Sequence, residues 1–478
     1  MDENKHSIQK VFLEIETPSM AMANAIKNNL ALFVQNELIL LLENQFNLIQ
    51  NTNNQIVQIE KIAISIDSDT GKNGGFLSNN ETKNDIKNQI DKEIYKALSA
   101  LKKSQNDDEN ACELRTISPH EKELKTLLYF IENGSMPWWI SKDDGVLFFE
   151  KINFENITKD VFKIDFRNLI RQKSIQKRII NQFTNSQIAL LTSTLLNSET
   201  QQKTFEKNNV IQFLNNNSQS FKTSFWQLLF DALSGQNPIK IIRFYHQNKT
   251  EFTLKEISLE HYIQNLKAFF PLNISVKKYM EMNSNYLKPE SSTEKEIEKS
   301  STNNQDNFKD DKNNSESCYV QNAGLIILHP FLKEMLTKCD LMGENNTILN
   351  KEMAAHILHY TATKRENDYE HAMVFEKFLC GIPMHHSIER QIRIEDKHKR
   401  QVEEMLLSVV EHWSTLKNTS TAILRSEFLQ REGKLDWSET NPKLAVERKT
   451  QDLLLEKIPW NINIVKIPWM EKLIYTQW

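Results

Sequence analysis

Glycine and proline are scarce in this chain of 478 residues, with 10 and 11 copies respectively. Sandwiches and barrels made only of strands need many turns, and such turns are rich in these two residues. The shortage therefore favours helices accompanied by a few strands. Hydrophobic residues make up 39% of the chain and charged residues 26%, as in ordinary globular proteins, so a packed core is expected.

Cysteine is also sparse, and its four copies lie far apart at Cys112, Cys318, Cys339 and Cys380. No two of them form a Cys-x-x-Cys pair, so their spacing fits neither a zinc ribbon nor a disulfide framework. This use of cysteine is typical of a reducing compartment. We therefore expect a cytoplasmic protein without structural disulfides.

Long apolar runs are missing. The longest, at 38–42 and 325–328, are far shorter than the roughly 20 residues that a helix needs to cross a bilayer. The beginning of the chain places acidic side chains among short apolar stretches, unlike the basic and then apolar pattern of a signal peptide. We expect neither a membrane span nor a signal peptide.

An excess of positive charge is absent too. The chain has 59 Lys and Arg against 63 Asp and Glu, which gives a formal net charge of −4 and a pI near 6.4. Proteins that bind a phosphate backbone usually present a basic field to it. Nucleic acid is therefore not expected as a partner.

Apolar periodicity predicts a β-α-β unit at the start of the chain. Residues 8–16 and 56–66 alternate between apolar and polar side chains, as half-buried strands do. Apolar residues recur at helical spacing over 26–42, between the two strands, and again over 86–101. We assign residues 1–110 to an N-terminal domain.

The next region, 111–288, is predicted to be mainly helical. Ser118 and Glu121 have the spacing of a helix N-terminus, and Gly134 stands where that helix would end. Helical periodicity continues beyond it. The short apolar run 239–245 is predicted to be a strand.

Residues 289–317 contain almost only Ser, Thr, Asn, Lys, Asp and Glu. So little apolar surface cannot offset the entropy lost on ordering, and we predict a disordered linker. The C-terminal domain, 318–478, has helical patterns followed by strand-like pieces at 444–448, 462–467 and 473–476. The predicted fold class is α+β, mostly helical, with the N-terminal β-α-β unit and a small strand-rich C-terminal end.

Histidines in the C-terminal part raise the question of a zinc site. His356 and His359 lie three residues apart on a predicted helix, upstream of Cys380 and further histidines. An H-E-x-x-H helix needs its second histidine four residues on and a glutamate between, and neither is found here. Glycine-rich phosphate loops, G-x-S-x-G elbows and kinase motifs are missing as well. We predict no catalytic residue, no metal site and no cofactor, and thus no enzyme.

Tryptophan and proline adjoin one another at several places in the chain. Aromatic side chains are frequent anchors of protein interfaces, and core filling is the alternative reading of each. The candidate interaction residues are Trp138, Trp139, Trp413, Pro459, Trp460, Pro468 and Trp469.

Several sequence blocks follow one another in the C-terminal third. They are NAGLIILHPFL at 322–332, LCGIP at 379–383, FLQREG at 428–433 and IPW at both 458–460 and 467–469. In these blocks the chain resembles the contractile injection system tape measure family. The block GSMPWW at 134–139 extends the resemblance towards the N-terminus.

The resemblance implies a non-enzymatic component of a bacterial phage-tail-like particle that acts in tail or tube assembly or in length control. Tube, sheath, baseplate or spike proteins would be its partners, without nucleic acid or a membrane span. It would be cytoplasmic during assembly, and carriage in the finished particle is left open. A metal-dependent enzyme or an accessory binding module with an unrecognised site is the alternative.

The family name suggests an extended ruler, and the patterns along this chain favour folded bodies. A fully helical chain of 478 residues would reach about 700 Å at roughly 1.5 Å per residue. One compact body of that length would have a radius of gyration of about 23 Å. Capped helices and strand-rich ends are features of the compact case.

We predict that limited proteolysis cuts between residues 289 and 317 before any other place, because a polar segment without a core is open to proteases. Mass spectrometry of a time course should then identify two resistant fragments. Strong protection of this segment would contradict the predicted linker.

Overall fold

The structure, a computed structural model, describes most of the chain. The described residues are 6–9, 11, 34–48, 56–59, 61, 62, 64, 80–104, 114–152, 160–196, 208–235, 239–270, 272, 317–438 and 440–478. Contacts divide the chain into two compact units, Met1–Thr126 and Leu127–Trp478. Each unit contains a hydrophobic core of its own.

Before residue 118, the described residues of the first unit form two helices and a two-stranded sheet. Its helices are α1 Ile39–Asn47, which follows a π-helical turn at Val34–Leu38, and α2 Asn80–Ser104. Its strands are β1 Ile56–Ile59 and β2 Leu114–Ile117, which pair antiparallel. Helix α2 buries Ile90, Ile94 and Leu98, which recur every four residues and therefore share one helix face.

The predicted β-α-β opening is described only in part. Of the first predicted strand, 8–16, residues 8, 9 and 11 are described and are not in a strand, and the others lie outside the described residues. The second predicted strand, 56–66, contains β1. Its partner β2 was not predicted, because four residues are too few for alternation to be recognised.

Helix α3, Pro119–Asn133, begins and ends as its sequence predicts. The Ser118 hydroxyl accepts a hydrogen bond from the Glu121 backbone N–H at 3.1 Å. Gly134 follows the last turn with φ +73°, and its N–H donates to the carbonyl oxygen of Phe130. A residue in the left-handed region commonly ends a helix, and glycine adopts that conformation without strain.

Helices also make up the following stretch of the second unit. Their bounds are α4 Lys142–Lys151, α5 Asp160–Leu169, α6 Lys173–Gln182, α7 Asn185–Leu196, α8 Asn209–Asn215, α9 Gln219–Leu233, α10 Ile239–Gln247, α11 Lys249–Leu254 and α12 Leu259–Phe269.

The prediction of a strand at 239–245 was wrong, because these residues lie in helix α10. Ile241, Ile242, Phe244 and Tyr245 are buried in a helical pattern, and α10 packs against α9. A short apolar run fits a strand and a buried helix equally well, so periodicity alone does not distinguish them.

The C-terminal part alternates helices with shorter helical turns. The helices are α13 His329–Lys338, α14 Lys351–Thr363, α15 Val374–Leu379, α16 Asp396–His412 and α17 Thr421–Leu424. The turns are Ala323–Leu328, Glu344–Asn346, Glu370–Met373, Ser414–Leu416, Arg425–Leu429 and Thr450–Lys457.

A five-stranded sheet completes the second unit. Its strands are β3 Ser317–Val320, β4 Gly433–Asp436, β5 Lys443–Val446, β6 Ile464–Lys466 and β7 Leu473–Gln477. They lie in the order β3-β4-β5-β7-β6, and all neighbours are antiparallel except β5 and β7. The prediction of a mostly helical α+β chain with a strand-rich C-terminal end is confirmed.

The predicted linker, 289–317, lies outside the described residues except for Ser317, the first residue of β3. Its disorder therefore stays a prediction. Described helices and strands on both sides of it, in 127–272 and 317–478, belong to the second unit.

Gly324 is predicted to be intolerant of any side chain. A Cβ atom at this position would lie 1.7 Å from the carbonyl oxygen of Phe428 and 2.8 Å from the Cα of Leu429. Both neighbours are buried, so their backbone cannot withdraw cheaply. We expect Gly324→Ala to lower the free energy of unfolding by about 3 kcal/mol, the upper end of overpacking effects.

The matched control is Gly145→Ala within helix α4, where the added Cβ meets only side chains at 3.5 Å. Alanine in a helix interior should leave the free energy of unfolding unchanged or raise it by about 0.5–1 kcal/mol. Urea denaturation of both variants measures the difference. Equal stability of the two variants would contradict the close approach at Gly324.

Candidate functional site

Three charged side chains, Arg178, Glu370 and Lys377, form a buried ion cluster inside the second unit. Their side chains are 1%, 0% and 2% exposed. The Arg178 Nε lies 3.2 Å from Glu370 Oε2, and the Lys377 Nζ donates to the other carboxylate oxygen. The cluster joins α6, the turn Glu370–Met373 and α15.

The Arg178 guanidinium also binds the end of helix α3. Its Nη1 donates to the carbonyl oxygens of Ile131 and Glu132 at 3.0 and 2.5 Å, and Nη2 donates to the carbonyl oxygen of His385 at 2.8 Å. The last carbonyls of a helix lack partners inside the helix and carry its negative dipole end. A buried cation at this place is therefore favourable on both counts.

Lys377 completes the cluster through backbone oxygens. Its Nζ donates to the carbonyl oxygens of Met384 and His386 at 3.1 and 2.6 Å. Burial lowers the pKa of Lys377, and the Glu370 carboxylate opposes this shift only in part. Two cations share one carboxylate, so the carbonyl oxygens supply the remaining negative partial charge.

The ion cluster explains the glycine of the GSMPWW block. A Cβ atom on Gly134 would lie 2.7 Å from Glu370 Oε1 and 2.9 Å from Arg178 Nε. A side chain there would displace the ion pair and would also be strained at φ +73°. The glycine of this block is therefore needed for a contact with Glu370 and Arg178, which are remote from it in sequence.

A second buried polar group surrounds His359. Its Nε2 lies 2.7 Å from Asp368 Oδ2 and its Nδ1 lies 3.0 Å from Glu376 Oε1, which also accepts from the side chain of Asn322 at 2.7 Å. Burial lowers the pKa of His359, but the hydrogen bonds to Asp368 and Glu376 outweigh burial and raise it. The raised pKa favours the protonated ring, in which both nitrogens of His359 can donate to these side-chain oxygens.

The other histidines considered as zinc ligands have different surroundings. Burial lowers the pKa of His356 to about 4, and its ring bonds to the backbone of Glu389. Burial lowers the pKa of His371 to about 4 as well, and its ring packs against Phe130. Within the described part of the chain, no group of three or more His, Cys, Asp or Glu is arranged to hold a metal ion.

The cysteines with described positions are free and have raised pKa values. Burial raises the pKa of Cys318 to about 12 and that of Cys339 to about 11, and it raises the pKa of Cys380 as well. The thiolate is the reactive form of cysteine. These thiols stay protonated near neutral pH and are poor nucleophiles.

Three of the candidate interaction tryptophans pack against the core of the second unit. Trp413 is fully buried, and its indole N–H donates to the carbonyl oxygen of Leu454 at 3.2 Å. Trp460 and Trp469 are partly buried, and their indole N–H groups donate to backbone oxygens of Ile327 and Leu379 at 2.9 and 2.7 Å. These two indole hydrogen bonds attach the two Ile-Pro-Trp blocks to helical segments of the core.

The remaining candidate interaction residues reach the surface. Trp138 is 36% exposed, while Trp139 is half-buried with its ring 5.8 Å from that of Tyr129. Pro459 and Pro468 are exposed beside their tryptophans. An interaction role for any of these residues stays a prediction.

Sequence reasoning did not identify the ion cluster. A signal exists in retrospect, because Glu376 and Lys377 interrupt the apolar residues of α15, and a lysine is almost never buried without a partner. Its carboxylate partner, Glu370, is only seven residues away, but the third member of the cluster is remote, since Arg178 lies 192 residues before Glu370.

The sequence profile of the family described as contractile injection system tape measure protein matches residues 5–478. The chain belongs to this family. No curated protein and no solved structure gives a significant match.

Membership of the tape measure family confirms the resemblance drawn from the sequence blocks, and the match extends over nearly the whole chain. The protein is thus a component of a contractile injection system. Among the described residues, no helix has both the length and the apolar character that crossing a membrane requires.

We predict that the two sides of the ion cluster respond unequally to neutralisation. Glu370→Gln leaves two buried cations without a carboxylate, and we expect the free energy of unfolding to fall by about 3–5 kcal/mol. Lys377→Met leaves the neutral pair of Arg178 and Glu370 and should cost less, about 1–3 kcal/mol. Urea denaturation gives both values.

The surface control is Glu334→Gln, which removes the exposed pair with Lys338 on α13. Exposed pairs contribute little because water screens them, so this variant should unfold like the unmodified protein. Equal losses for Glu370→Gln and Lys377→Met would contradict the inferred excess of positive charge in the cluster.

Proposed function

We propose that this tape measure family protein is a non-enzymatic factor in tail or tube assembly or in length control, and that it acts in the cytoplasm as a folded protein. Its partners on this proposal are tube, sheath, baseplate or spike components of the same particle. The observation that carries the proposal is the closure of the second unit by the buried ion cluster.

The second unit cannot be extended while residues that are remote in sequence remain in contact within it. Arg178 meets Glu370 across 192 residues, and Gln182 Nε2 donates to the carbonyl oxygen of Ile388, 206 residues later, at 2.8 Å. An extended helical chain would hold such residues hundreds of ångströms apart, at about 1.5 Å per residue. These contacts support a role for the folded unit.

Helix lengths point the same way. The longest described helix, α2, has 25 residues and extends about 37 Å at roughly 1.5 Å per residue. A fully helical chain of 478 residues would reach about 700 Å. We infer that length control by this protein acts through contacts of folded surfaces.

The surroundings of the chemically capable side chains support a non-enzymatic role. Burial keeps Cys318 and Cys380 protonated, and His359 is held between two carboxylates. A nucleophile needs a thiolate or a free base beside it. Cys318 and Cys380 are therefore not thiolates, and His359 is not a free base.

Exposure separates the candidate interaction residues into two groups. We propose that Trp138, Pro459 and Pro468 contact other particle components, because they reach the surface. Trp460 and Trp469 would act by fixing the exposed prolines to the core through their indole N–H groups.

Particle length measured by electron microscopy tests the proposal. We expect deletion of twenty residues within 289–317 to leave particle length unchanged, because a linker of the kind that the sequence predicts there would determine no rigid distance. A helical ruler would shorten the particle by roughly 30 Å for the same deletion.

A second arm asks whether the closed unit is the active form. Glu370→Gln should reduce the number of particles per cell, whereas Glu334→Gln at the exposed pair should leave it normal. The proposal would be contradicted if the deletion shortened the particle and the Glu370→Gln variant assembled normally. Those two results together would favour an extended ruler.

A further inference from the structure

The C-terminal part of the second unit, residues 317–478, has a hydrophobic core of its own. Among the described residues, every buried member of this core lies between Val320 and Ile474. The helical part, residues 127–272, buries other side chains among themselves, such as the rings around Trp226. A separate core is a mark of a domain, so the second unit consists of two domain-like parts in contact.

The end of helix α6 is a place where the helical part meets the C-terminal part. The carbonyl oxygen of Asn181 accepts a hydrogen bond from the backbone N–H of Arg390 at 3.1 Å, and that of Gln182 accepts from the Arg390 guanidinium at 3.4 Å. The last carbonyls of a helix have no partner within it, and a cation beside them is favourable. The C-terminal part thus supplies the cap of a helix that belongs to the helical part.

The side-chain amide of Gln182 binds backbone groups on the far side of this boundary. Its Nε2 donates to the carbonyl oxygen of Ile388 at 2.8 Å, and its Oε1 accepts from the backbone N–H of Glu370 at 2.7 Å. Beside it, the Asn181 amide donates to the hydroxyl of Ser387 at 3.2 Å. Gln182 is 1% exposed, so loss of its amide would leave two buried backbone groups without a partner.

Aromatic rings extend the boundary. Tyr369 of the C-terminal part stacks on Phe149 of α4 with ring centroids 4.0 Å apart, and its hydroxyl accepts from the side chain of Gln187 at 3.4 Å. The ring of His371 lies edge-on to that of Phe130, 5.7 Å away. Aromatic side chains are frequent anchors where two folded surfaces meet.

These contacts have the composition of an interface between domains. Polar groups and rings meet at the boundary, whereas the apolar core of the C-terminal part is built from residues of that part alone. Interfaces between domains of one chain resemble those between separate proteins and are more polar than a core. The two parts are therefore joined by docking of surfaces, and the ion cluster belongs to the docked contacts.

We propose that helix α6, with the rings of Phe130 and Phe149, forms a docking surface for the C-terminal part. That part binds as a separate protein does, so the two parts stay together after the chain between them is cut. The occupant is a segment of this chain, 385–390 with the turn at 369–371. Residues 273–316 connect the parts and raise their effective concentration, but the contacts described here lie outside that connection. The inference concerns the second unit alone and goes beyond the proposed function.

Cleavage of the folded full chain tests the proposal. A recognition sequence for a site-specific protease is inserted within 289–316, and the purified protein is fixed to a biosensor by an N-terminal tag. The protease is then added on the sensor. We expect the C-terminal fragment to leave with a half-life of about ten minutes or more, as in a nanomolar complex. Denaturing electrophoresis of a parallel sample verifies that the chains are cut.

Two glutamines of helix α6 provide the decisive comparison. Gln182→Leu removes two hydrogen bonds across the boundary and leaves a buried carbonyl and a buried N–H unpaired, so release should be about thirtyfold faster or more. The matched control is Gln176→Leu. The Gln176 amide is also buried, but it donates to the carbonyl oxygen of Ile170 and to Asp231, both in the helical part. Its loss should leave the release rate unchanged.

Asn181→Ala is the second variant in case Gln182→Leu disturbs folding of the uncut chain. Alanine favours helix α6 itself, while the bond to Ser387 is lost, so release should be about fivefold faster. Circular dichroism melting of each uncut variant verifies that it is folded.

Three outcomes would overturn the proposal. They are release of the C-terminal fragment as soon as the unmodified chain is cut, a release rate that neither Gln182→Leu nor Asn181→Ala changes, and equal acceleration by Gln182→Leu and Gln176→Leu. The measurement uses purified protein without a particle. Failure of the docking surface is therefore distinguishable from failure of the proposed function, which concerns the intact chain.

Discussion

The Glu370 carboxylate is the interaction on which the arrangement of the second unit depends. It neutralises Arg178 and Lys377 together, and the guanidinium of Arg178 in turn caps the last carbonyls of helix α3. Moving a charged group out of water costs several kcal/mol unless charges and hydrogen bonds replace the solvent. Here one carboxylate and five backbone oxygens do so.

Buried polar contacts of this kind constrain geometry more than apolar packing does. Aliphatic side chains tolerate shifts if volume is conserved, whereas an unsatisfied buried donor or charge is costly. The same segments carry an aromatic contact, since Tyr369 stacks on Phe149 with ring centroids 4.0 Å apart and lies 3.7 Å below the guanidinium of Arg390. Helices of the middle region and loops of the C-terminal part are therefore held in one relative position.

A feature of the fold was predictable from the sequence when the contacts that determine it lie close together along the chain. Helix α3 was predictable because Ser118, Glu121 and Gly134 act within a few residues of its ends. The run 239–245 was assigned wrongly because its burial is decided by packing against α9.

The candidate site was the least predictable feature. Each member of the ion cluster looks like an ordinary charged residue in the sequence, and only the fold brings Arg178 to Glu370. The GSMPWW block was recognised as a pattern, but the need for its glycine follows from a carboxylate more than two hundred residues away in the chain, at Glu370. Tertiary contact, which local periodicity does not contain, is the missing information.

These constraints bear on how a tape measure family protein can act while folded. An extended ruler sets the length of a tube by its own length. A folded unit held together by buried charges can act only through the contacts that its surface makes. On the proposed function, the ion cluster acts indirectly. It holds the end of α3, which precedes Trp138, and it holds α15, whose Leu379 carbonyl binds the Trp469 indole next to Pro468. Loss of the cluster would then move these surface residues out of their relative positions without changing the residues themselves. The buried charges would thus affect assembly only by fixing where the surface residues lie.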